Sequence, residues 1–422
     1  MTARRRCVLV VCDGHRDDLV RPELCPAIAA QAVAGTRFLA HRSVFPSVTR
    51  VSAASIATGQ PPAVHGLHGN SMGLPGARGI EIRDAGPPDF VGAMRAALGR
   101  TLAVPVLAQR AASLGRSIHV SNVSPGAAYF FDPDGHGSVH HRAGCYGPGL
   151  APLAEVLPAS PDAAGDRAAT ERFCALLRDD PSAPLVSLWL ANPDKVMHGS
   201  ALGSPAHRAA VAAADECVAM VAQAVAELRA TGEAVLFLLG SDHGHETVRR
   251  VIPVERLLWQ AGFKPERDGG DLQVAPQGGS ALIYADRSVP EERLAAVAHW
   301  LRAQDWCRAV FADDDLAEVG MAPAGGLRLA VAMAGDDMPN AHGIPGRSDV
   351  AVRFETDEEV PGKGQHGGLG RYETQPFLIA SGPGFGAGET RSAATSLLDI
   401  APTVLRHLGL PQDGLPGRPL QS

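Results

Sequence analysis

Four short stretches of the sequence place aspartate and histidine side chains beside apolar segments. These side chains are Asp13 in CDG, Asp194 and His198 in NPDKVMHG, Asp242 and His243 in GSDHGHE, and His366 in GKGQHGG. If the apolar segments are strands of one open sheet, the side chains meet at one edge of that sheet. Carboxylates gathered there would repel one another, and a divalent cation removes that repulsion.

The joint pattern indicates more than any single residue does. An aspartate before glycine commonly forms a turn, and a histidine in a glycine loop is often only solvated. Together, however, oxygen and nitrogen ligands without a thiolate favour zinc, with manganese or iron as alternatives. Six protein ligands exceed the needs of one tetrahedral ion. They suit two ions about 4 Å apart, the arrangement that holds the attacking and leaving oxygens of a phosphoryl transfer.

Thr49, in PSVTRVSAASIATG, supplies the hydroxyl group that this chemistry needs. Considered alone, a threonine at the start of a helix is an N-cap, and that interpretation stays open. Bound to a divalent ion, the hydroxyl would have a lowered pKa and could attack phosphorus. The helix predicted over residues 50–58 would direct its N-terminal amides at the same anion.

The order of the elements predicts how these residues are positioned. Short apolar runs alternate with amphipathic helical stretches, which predicts an α/β fold with a central, mostly parallel sheet flanked by helices. Buried strands are predicted at residues 8–11, 117–120, 185–190, 235–239 and 377–380. Helices are predicted at residues 22–34, 205–229 and 291–302.

Two segments interrupt this alternation. Residues 251–360 are rich in glycine, aspartate and short strand-like pieces, and they predict a smaller inserted cap subdomain. The catalytic core then comprises residues 1–250 and 361–422. Residues 126–158, which contain Tyr129, Phe130 and Phe131, are predicted to be irregular and either to line a pocket or to cross the surface.

Composition limits the classes of partner. The 422 residues carry a formal net charge of -7 with no basic block, so a nucleic acid polymer is not expected as a partner. The apolar run between Cys7 and Cys12 is too short for a signal peptide, and no membrane span is expected. The seven cysteines lack C-x-x-C spacing and suggest reduced thiols. We therefore expect a cytoplasmic protein that acts on a small molecule, and a homodimer is compatible with the sequence.

The residue order resembles that of the alkaline phosphatase superfamily, and within it the type I phosphodiesterases, nucleotide pyrophosphatases and phosphonoacetate hydrolases. The most specific pieces are PSVTRVSAASIATGQPPAVHGLHGN and SDHGH. The resemblance covers nearly the whole chain, because SLLDIAPTVLRHLGLP at residues 396–411 is similar to the closing helix of the superfamily. It implies an alkaline phosphatase-like fold.

The resemblance also implies a pairing of ligands and roles for two further residues. The implied ligands are Asp13, Thr49, Asp242 and His243 for one zinc, and Asp194, His198 and His366 for the other. Thr49 would be the nucleophile and form a phosphothreonine intermediate, which water then hydrolyses. Asn70, in HGLHGN, would donate its side-chain amide to a phosphoryl oxygen.

The sequence departs from these relatives at the substrate side. Phosphonoacetate hydrolases have lysines that hold the substrate carboxylate, whereas the matching segment here, SNVSPGAAYFF, has none. Nucleotide pyrophosphatases usually follow the threonine with an aromatic residue, whereas this chain has Arg50. Arg50 would suit a second anionic group on the substrate, or it pairs with a nearby acid on the helix surface, and both interpretations stay open.

Other acidic and histidine residues receive structural interpretations. His245 and Glu246 are expected to be turned away by a following helix, so that His245 at most hydrogen-bonds a ligand. His15 and Asp17 are expected at the surface.

The predicted function is a di-zinc hydrolase that cleaves a phosphodiester, a phosphoanhydride such as a nucleotide pyrophosphate, or a phosphonate through Thr49. One alternative is a phosphonoacetate hydrolase-like enzyme that hydrolyses a C–P bond. Others are a phosphoryl-transferring mutase, although those enzymes use serine, and a metal-binding homologue without catalysis.

Overall fold

The computed structural model describes residues 4–77, 79–267, 269–354 and 360–421. Its strands, in chain order, are β1 Arg5–Cys12, β2 Thr36–Phe38, β3 His41–Arg42, β4 Ser71–Gly76, β5 Gly79–Asp84, β6 Ile118–Ser121, β7 Ser138–His140, β8 Leu185–Leu190, β9 Ala234–Gly240, β10 Glu246–Pro253, β11 Leu272–Pro276, β12 Ser280–Ala285, β13 Cys307–Ala312, β14 Leu327–Met333, β15 Gly335–Pro339, β16 Pro345–Val352, β17 Gly364–Gln365, β18 Leu378–Ser381, β19 Glu389–Arg391 and β20 Thr395–Ser396.

The α-helices flank and connect these strands. In chain order they are α1 Pro26–Ala34, α2 Thr49–Thr58, α3 Pro62–His65, α4 Phe90–Leu98, α5 Leu107–Ala111, α6 Pro125–Phe130, α7 Ala163–Asp179, α8 Asp194–Met197, α9 Pro205–Ala230, α10 Val254–Gln260, α11 Glu291–Arg302 and α12 Ile400–Leu408. Short 3-10 turns lie at Asp17–Leu19, Pro148–Leu150, Asp313–Val319 and Leu397–Asp399.

Strand β1 shows why the core strands appear in the sequence as uninterrupted apolar runs. Alternate side chains of a strand point to opposite faces of its sheet. Val8 and Val10 join one hydrophobic cluster, which includes residues of α7 and α9. Leu9 and Val11 join another, which includes residues of α2 and α12. Because helices cover both faces, neither set of side chains meets water, and no polar alternation appears.

The main sheet has eight strands in the order β19-β2-β18-β9-β1-β8-β6-β7. Strands β9, β1, β8 and β6 are parallel to one another, so their carboxyl ends share one edge. Strand β18 runs antiparallel to β9. The chain segment that precedes β18 therefore reaches the same edge, and this segment carries His366. The prediction of a mostly parallel sheet flanked by helices is confirmed.

The predicted helices differ from the structure mainly at their starts. Helix α1 begins at Pro26 rather than at residue 22, because residues 22–25 form a turn and an unwound cap. The prediction of an irregular segment at residues 126–158 is wrong in part. It contains most of α6 and the edge strand β7, and Tyr129, Phe130 and Phe131 are buried.

The region of the predicted insertion forms two smaller sheets. One has the order β11-β12-β14-β13 and shares a hydrophobic cluster with α10 and α11. The other has the order β15-β16-β10-β17 and includes strands next to the metal-ligand motifs. Residues 268 and 355–359 of the predicted insertion lie outside the described residues. The division into core and cap subdomain stays a prediction.

Helix α9 has the length and mean hydropathy of a membrane span, with 50% of its apolar window buried in the protein. It packs against α1 and α7 on one face of the main sheet. Core helices commonly meet the same length and hydropathy criteria, so this feature is weak support for a membrane span.

Candidate active site

Thr49 occupies the first helical position of α2, and its hydroxyl is not used as a cap. The N-cap residue is Val48, whose backbone is extended and whose side chain cannot accept a hydrogen bond. The Oγ1 atom of Thr49 lies 3.2 Å from Nε2 of His243 instead. The N-cap interpretation of Thr49 is therefore wrong, and the hydroxyl faces the residues that follow the central strands.

A first cluster forms where two neighbouring strands end. Asp13 follows β1, while Asp242 and His243 follow β9, the strand paired with β1. Nε2 of His243 lies 3.4 Å from Oδ1 of Asp13 and 3.1 Å from Oδ2 of Asp242. With Thr49, these residues bring three oxygen atoms around one imidazole nitrogen.

In each carboxylate of this cluster, one oxygen is anchored and the other is left without a partner. Trp189 donates its indole N–H to Oδ2 of Asp13 at 3.0 Å, and the backbone N–H of Gly14 donates to Oδ1 of Asp242 at 3.1 Å. The buried atoms Oδ1 of Asp13 and Oδ2 of Asp242 have no hydrogen-bond partner. Burial, followed by repulsion between the carboxylates, raises the pKa of Asp13 well above its usual value, and burial raises that of Asp242 to about 7. A cation between these oxygens would favour the charged form of both carboxylates and so lower their pKa values.

A second cluster is centred on Asp194, which begins α8 after β8. Its Oδ1 atom lies 3.3 Å from Nε2 of His198, 3.4 Å from Nε2 of His366 and 3.1 Å from Nε2 of His245. The first two histidines were expected there from the sequence. His245 was not expected as a member of the cluster, and its side chain is fully buried.

The expectation that His245 turns away was wrong because the element that follows it is a strand. Strand β10 starts at Glu246, and it pairs in antiparallel fashion with β17, with Glu246 opposite Gln365. His245 precedes β10 and His366 follows β17, so the register brings the two rings together at 4.8 Å between centroids. The motif SDHGH followed by the alternating residues of ETVRRV could have suggested this strand.

The spacing in both clusters fits four-coordinate divalent ions. Ligand atoms about 2.0–2.2 Å from a tetrahedral zinc stand about 3.3–3.6 Å from one another. The distances from His243 Nε2 and from Asp194 Oδ1 to the other ligand atoms span 3.1–3.4 Å. Within Asp13, Asp242 and His243, and within Asp194, His198, His245 and His366, the potential ligand atoms all lie within 4.8 Å of one another.

The protonation of three buried histidines also fits a metal site. The Nδ1 atoms of His243, His245 and His366 lie 3.0, 3.3 and 2.8 Å from backbone carbonyl oxygens, so we assign the proton to Nδ1 in each ring. Each Nε2 then presents a lone pair to a carboxylate oxygen. Two lone pairs at such a distance repel each other, and a divalent cation between them would remove that repulsion. Histidine ligands commonly donate their second nitrogen in this way.

The structure places Asn70 and Arg50 beside Thr49. The backbone N–H of Arg50 donates to Oδ1 of Asn70 at 3.2 Å, and Asn70 in turn donates its own backbone N–H to Gln277 at 2.7 Å. These two bonds use the side-chain oxygen and the backbone N–H of Asn70, and neither uses its side-chain NH₂ group. Sequence reasoning missed Gln277, which lies in the predicted insertion and carries no motif. The guanidinium of Arg50 forms an ion pair with Asp84 at 3.8 Å.

His15 and Asp17 are buried, contrary to the expectation that they lie at the surface. The ring of His15 contacts Phe377 edge-on, and Asp17 accepts hydrogen bonds from Arg37. The segment after β1 is paired with the segment before β18, through an antiparallel bridge between Arg16 and Pro376 and a hydrogen bond from the backbone N–H of Asp17 to the carbonyl of Gln375 at 3.1 Å.

Asp166 holds the loop that leads to the second cluster. This buried carboxylate in α7 accepts hydrogen bonds from the backbone N–H groups of Ala191 and Asn192 at 2.8 and 3.0 Å. It also accepts from the side-chain amides of Asn192 and Asn122 at 2.8 and 2.9 Å. The loop that leads from β8 to Asp194 is thereby fixed. The sequence offered no signal for this role, since the residue lies within an ordinary amphipathic helix.

One cavity of about 280 Å³ is bordered by residues of both clusters. Its lining includes atoms of Asp13, Thr49, Asp194, His198 and His366. Arg50 and Asn70 line it as well. The cavity is therefore a single site in which a small anionic molecule can reach the threonine and both predicted ion positions.

The sequence profile of the type I phosphodiesterase/nucleotide pyrophosphatase family matches residues 7–352. The chain belongs to this family. Type I phosphodiesterases and nucleotide pyrophosphatases are hydrolases of small phosphoester and nucleotide substrates, and family members generally bind divalent metals. No curated protein sequence matches the chain significantly.

Solved structures of family members share the fold. Murine ectonucleotide pyrophosphatase/phosphodiesterase 5 aligns with a TM-score of 0.70 at 18% identity, covering 99% of this chain and 97% of its own. Its inactive threonine-to-alanine variant in complex with AMP aligns with the same values. The human protein of the same name aligns with a TM-score of 0.67 at 16% identity, covering 98% and 97%. At such identities the likeness concerns the alkaline phosphatase-like fold.

Proposed function

We propose that the protein is a hydrolase that binds two divalent ions, with zinc favoured over manganese or iron, and cleaves a phosphodiester or phosphoanhydride through Thr49. The observation that carries this proposal is the pair of ligand clusters that border one cavity, with the Thr49 hydroxyl 3.2 Å from His243 in the first of them. The first ion would be held by Asp13, Asp242 and His243 with Thr49. The second would be held by Asp194, His198, His245 and His366.

When bound, the ions lower the pKa of the threonine hydroxyl and offset charge on the phosphoryl oxygens. Oγ1 of Thr49 forms a bond to phosphorus, and the bond from phosphorus to the leaving oxygen breaks. The hydroxyl proton is lost and the leaving alkoxide gains one. The water oxygen then forms a bond to phosphorus, the bond from phosphorus to Oγ1 of Thr49 breaks, and one proton of the water returns the threonine oxygen to a hydroxyl. Asn70 donates its side-chain N–H to a non-bridging oxygen throughout, since its Oδ1 atom is already occupied by the N–H of Arg50.

The same attack on a phosphonate would break a C–P bond, and this variant stays a prediction from the sequence. The murine relative whose threonine-to-alanine variant is inactive and is seen with AMP supports a threonine nucleophile in this site. It also makes a nucleotide a reasonable first substrate to test.

The experiment compares hydrolysis of bis-p-nitrophenyl phosphate by the wild-type protein and by Thr49→Ala, with metal content measured in both. We expect Thr49→Ala to keep its metals and to lose turnover by roughly 10⁴-fold or more, as when a nucleophile is removed. Thr58→Ala, at the other end of α2, is the matched control, because among the described residues the Thr58 hydroxyl bonds to the backbone of its own helix and to the backbone N–H of Gln60, away from the clusters. Unchanged turnover in Thr49→Ala would remove Thr49 from the mechanism, and absence of turnover in the wild type would contradict the proposal.

A further inference from the structure

The cavity that borders the two clusters is also lined by three cationic residues, Arg50, Arg142 and Lys195. Arg50 has an acidic partner in Asp84. Within residues 4–77, 79–267, 269–354 and 360–421, no carboxylate lies within ion-pair distance of Arg142 or Lys195. Neither charge therefore has a close acidic partner within the described part of the chain, and of the two Arg142 is half-buried whereas Lys195 is exposed.

Arg142 is held in place, as a recognition group requires. Its Nη1 atom donates to the backbone carbonyl and to Oδ1 of Asn122, the latter at 3.0 Å. Asn122 is itself fixed, because its amide donates to Asp166 at 2.9 Å and to the carbonyl of Ser160 at 2.8 Å. The other guanidinium N–H groups make no hydrogen bond to a described residue, which leaves them for a planar or tetrahedral anion.

A serine hydroxyl of the same cavity also makes no hydrogen bond to a described residue. Ser124 is the N-cap residue of α6, a position where serine ordinarily accepts a backbone hydrogen bond, yet its side chain makes no such bond. Its Oγ atom is buried without a partner and its residue lines the same cavity. A hydroxyl group in this state has a donor to offer to an anion.

The shape of the cavity favours a small substrate. Its volume of about 280 Å³ is near the lower limit of roughly 300–1,000 Å³ for small-molecule pockets. Its described lining residues include no phenylalanine, tyrosine or tryptophan ring on which a nucleobase could stack.

We propose that Arg142, with Ser124 and Lys195, binds a second anionic group of the substrate, a carboxylate or a phosphate, joined by a short carbon chain to the phosphorus that Thr49 attacks. This inference rests on the proposed function and narrows its substrate class. A purely structural role for Arg142, in which it only anchors Asn122, predicts no preference for charge in the substrate.

The test uses three chromogenic diesters that differ only at the far end. They are p-nitrophenyl 2-carboxyethyl phosphate, its uncharged amide, and p-nitrophenyl 2-phosphonoethyl phosphate. We expect the wild-type protein to prefer at least one anionic diester over the amide by about tenfold or more in kcat/KM, and the preferred one identifies carboxylate or phosphate. Arg142→Gln should bring that ratio close to one, and Arg142→Lys should retain part of it.

Arg167→Gln is the matched control, because Arg167 lies on the exposed face of α7 and pairs with Glu216. It should retain the wild-type ratio. Equal kcat/KM for all three diesters in the wild type, or an equal loss on charged and uncharged diesters in Arg142→Gln, would overturn the inference.

A binding measurement separates this inference from the proposed function. Calorimetric titration of Thr49→Ala with 3-phosphonopropionate and with propylphosphonate should show at least about tenfold tighter binding of the former. Tighter binding without any diester turnover in the wild type would support the anion site and contradict the proposed hydrolysis. Equal binding with normal turnover of bis-p-nitrophenyl phosphate would overturn the anion site and leave the hydrolysis intact.

Discussion

The loss of stability in a variant of Asp166 can be estimated from the structure, because each of its carboxylate oxygens accepts two hydrogen bonds. Oδ1 accepts from the side-chain amide of Asn122 and the backbone N–H of Ala191. Oδ2 accepts from the backbone N–H and the side-chain amide of Asn192. In Asp166→Asn, one oxygen becomes an NH₂ group, so two buried donors lose their acceptor. Hydrogen bonds to a charged group are worth about 1.5–3 kcal/mol each, which gives roughly 3–6 kcal/mol for two.

We expect the lower end of that range, about 3 kcal/mol of unfolding free energy, because the substitution also removes a buried charge. Burial raises the pKa of Asp166, which shows that the charge itself carries a cost. The assay is urea unfolding followed by circular dichroism, together with the affinity for the metal of the second cluster, which should fall because the loop before Asp194 loosens. Asp162→Asn is the control at the exposed N-cap of the same helix, where asparagine caps as well as aspartate and the change should stay below about 0.5 kcal/mol. A loss below about 1 kcal/mol in Asp166→Asn, or one equal to the control, would refute this account of the loop.

Two further predictions concern buried histidines. In His245→Gln, the affinity for the second ion should fall more than about 100-fold. Loss of a residue that only hydrogen-bonds a ligand costs about 10–100-fold. A fall within that smaller range, measured by competitive zinc titration, would show that His245 is not itself a ligand. His119 lies outside the site, and burial lowers its pKa to about 3. Its unfolded form takes up a proton below about pH 6.5 whereas the folded form does not, so this residue should cost about 2 kcal/mol of stability between pH 7 and pH 5. In urea unfolding, the free energy of unfolding of His119→Gln should fall by about 2 kcal/mol less than that of the wild type between pH 7 and pH 5. An identical pH dependence of the two proteins would show that folding does not lower the pKa of His119.

The sheet edge was predictable because it depends on patterns that the sequence displays directly. Apolar runs without polar alternation indicate strands covered on both faces, as β1 is, and parallel strands bring the residues after them together. These two patterns were sufficient to place Asp13, Asp242 and His243 at the edge. His366 was predicted at this edge although it precedes its strand, and the antiparallel direction of β18 explains why the segment before that strand reaches the same edge.

The residues that the sequence did not reveal depend on pairing between distant segments. His245 enters the second cluster through the register of β10 with β17, which no local pattern specifies. Arg142 follows β7, an edge strand in a segment expected to be irregular. Gln277 reaches Asn70 from the predicted insertion through a contact across 207 positions of sequence. Side-chain contacts of this range follow from the packing of whole sheets, and a single sequence carries no trace of them.

The central claim is that two divalent ions occupy the clusters beside Thr49. Elemental analysis of freshly purified protein that has met no chelator tests it most directly, combined with turnover of bis-p-nitrophenyl phosphate before and after EDTA. The account predicts about two divalent ions per chain, zinc foremost, with turnover lost in EDTA and restored by the metal. Protein that carries no such metal and keeps full turnover in EDTA would contradict it.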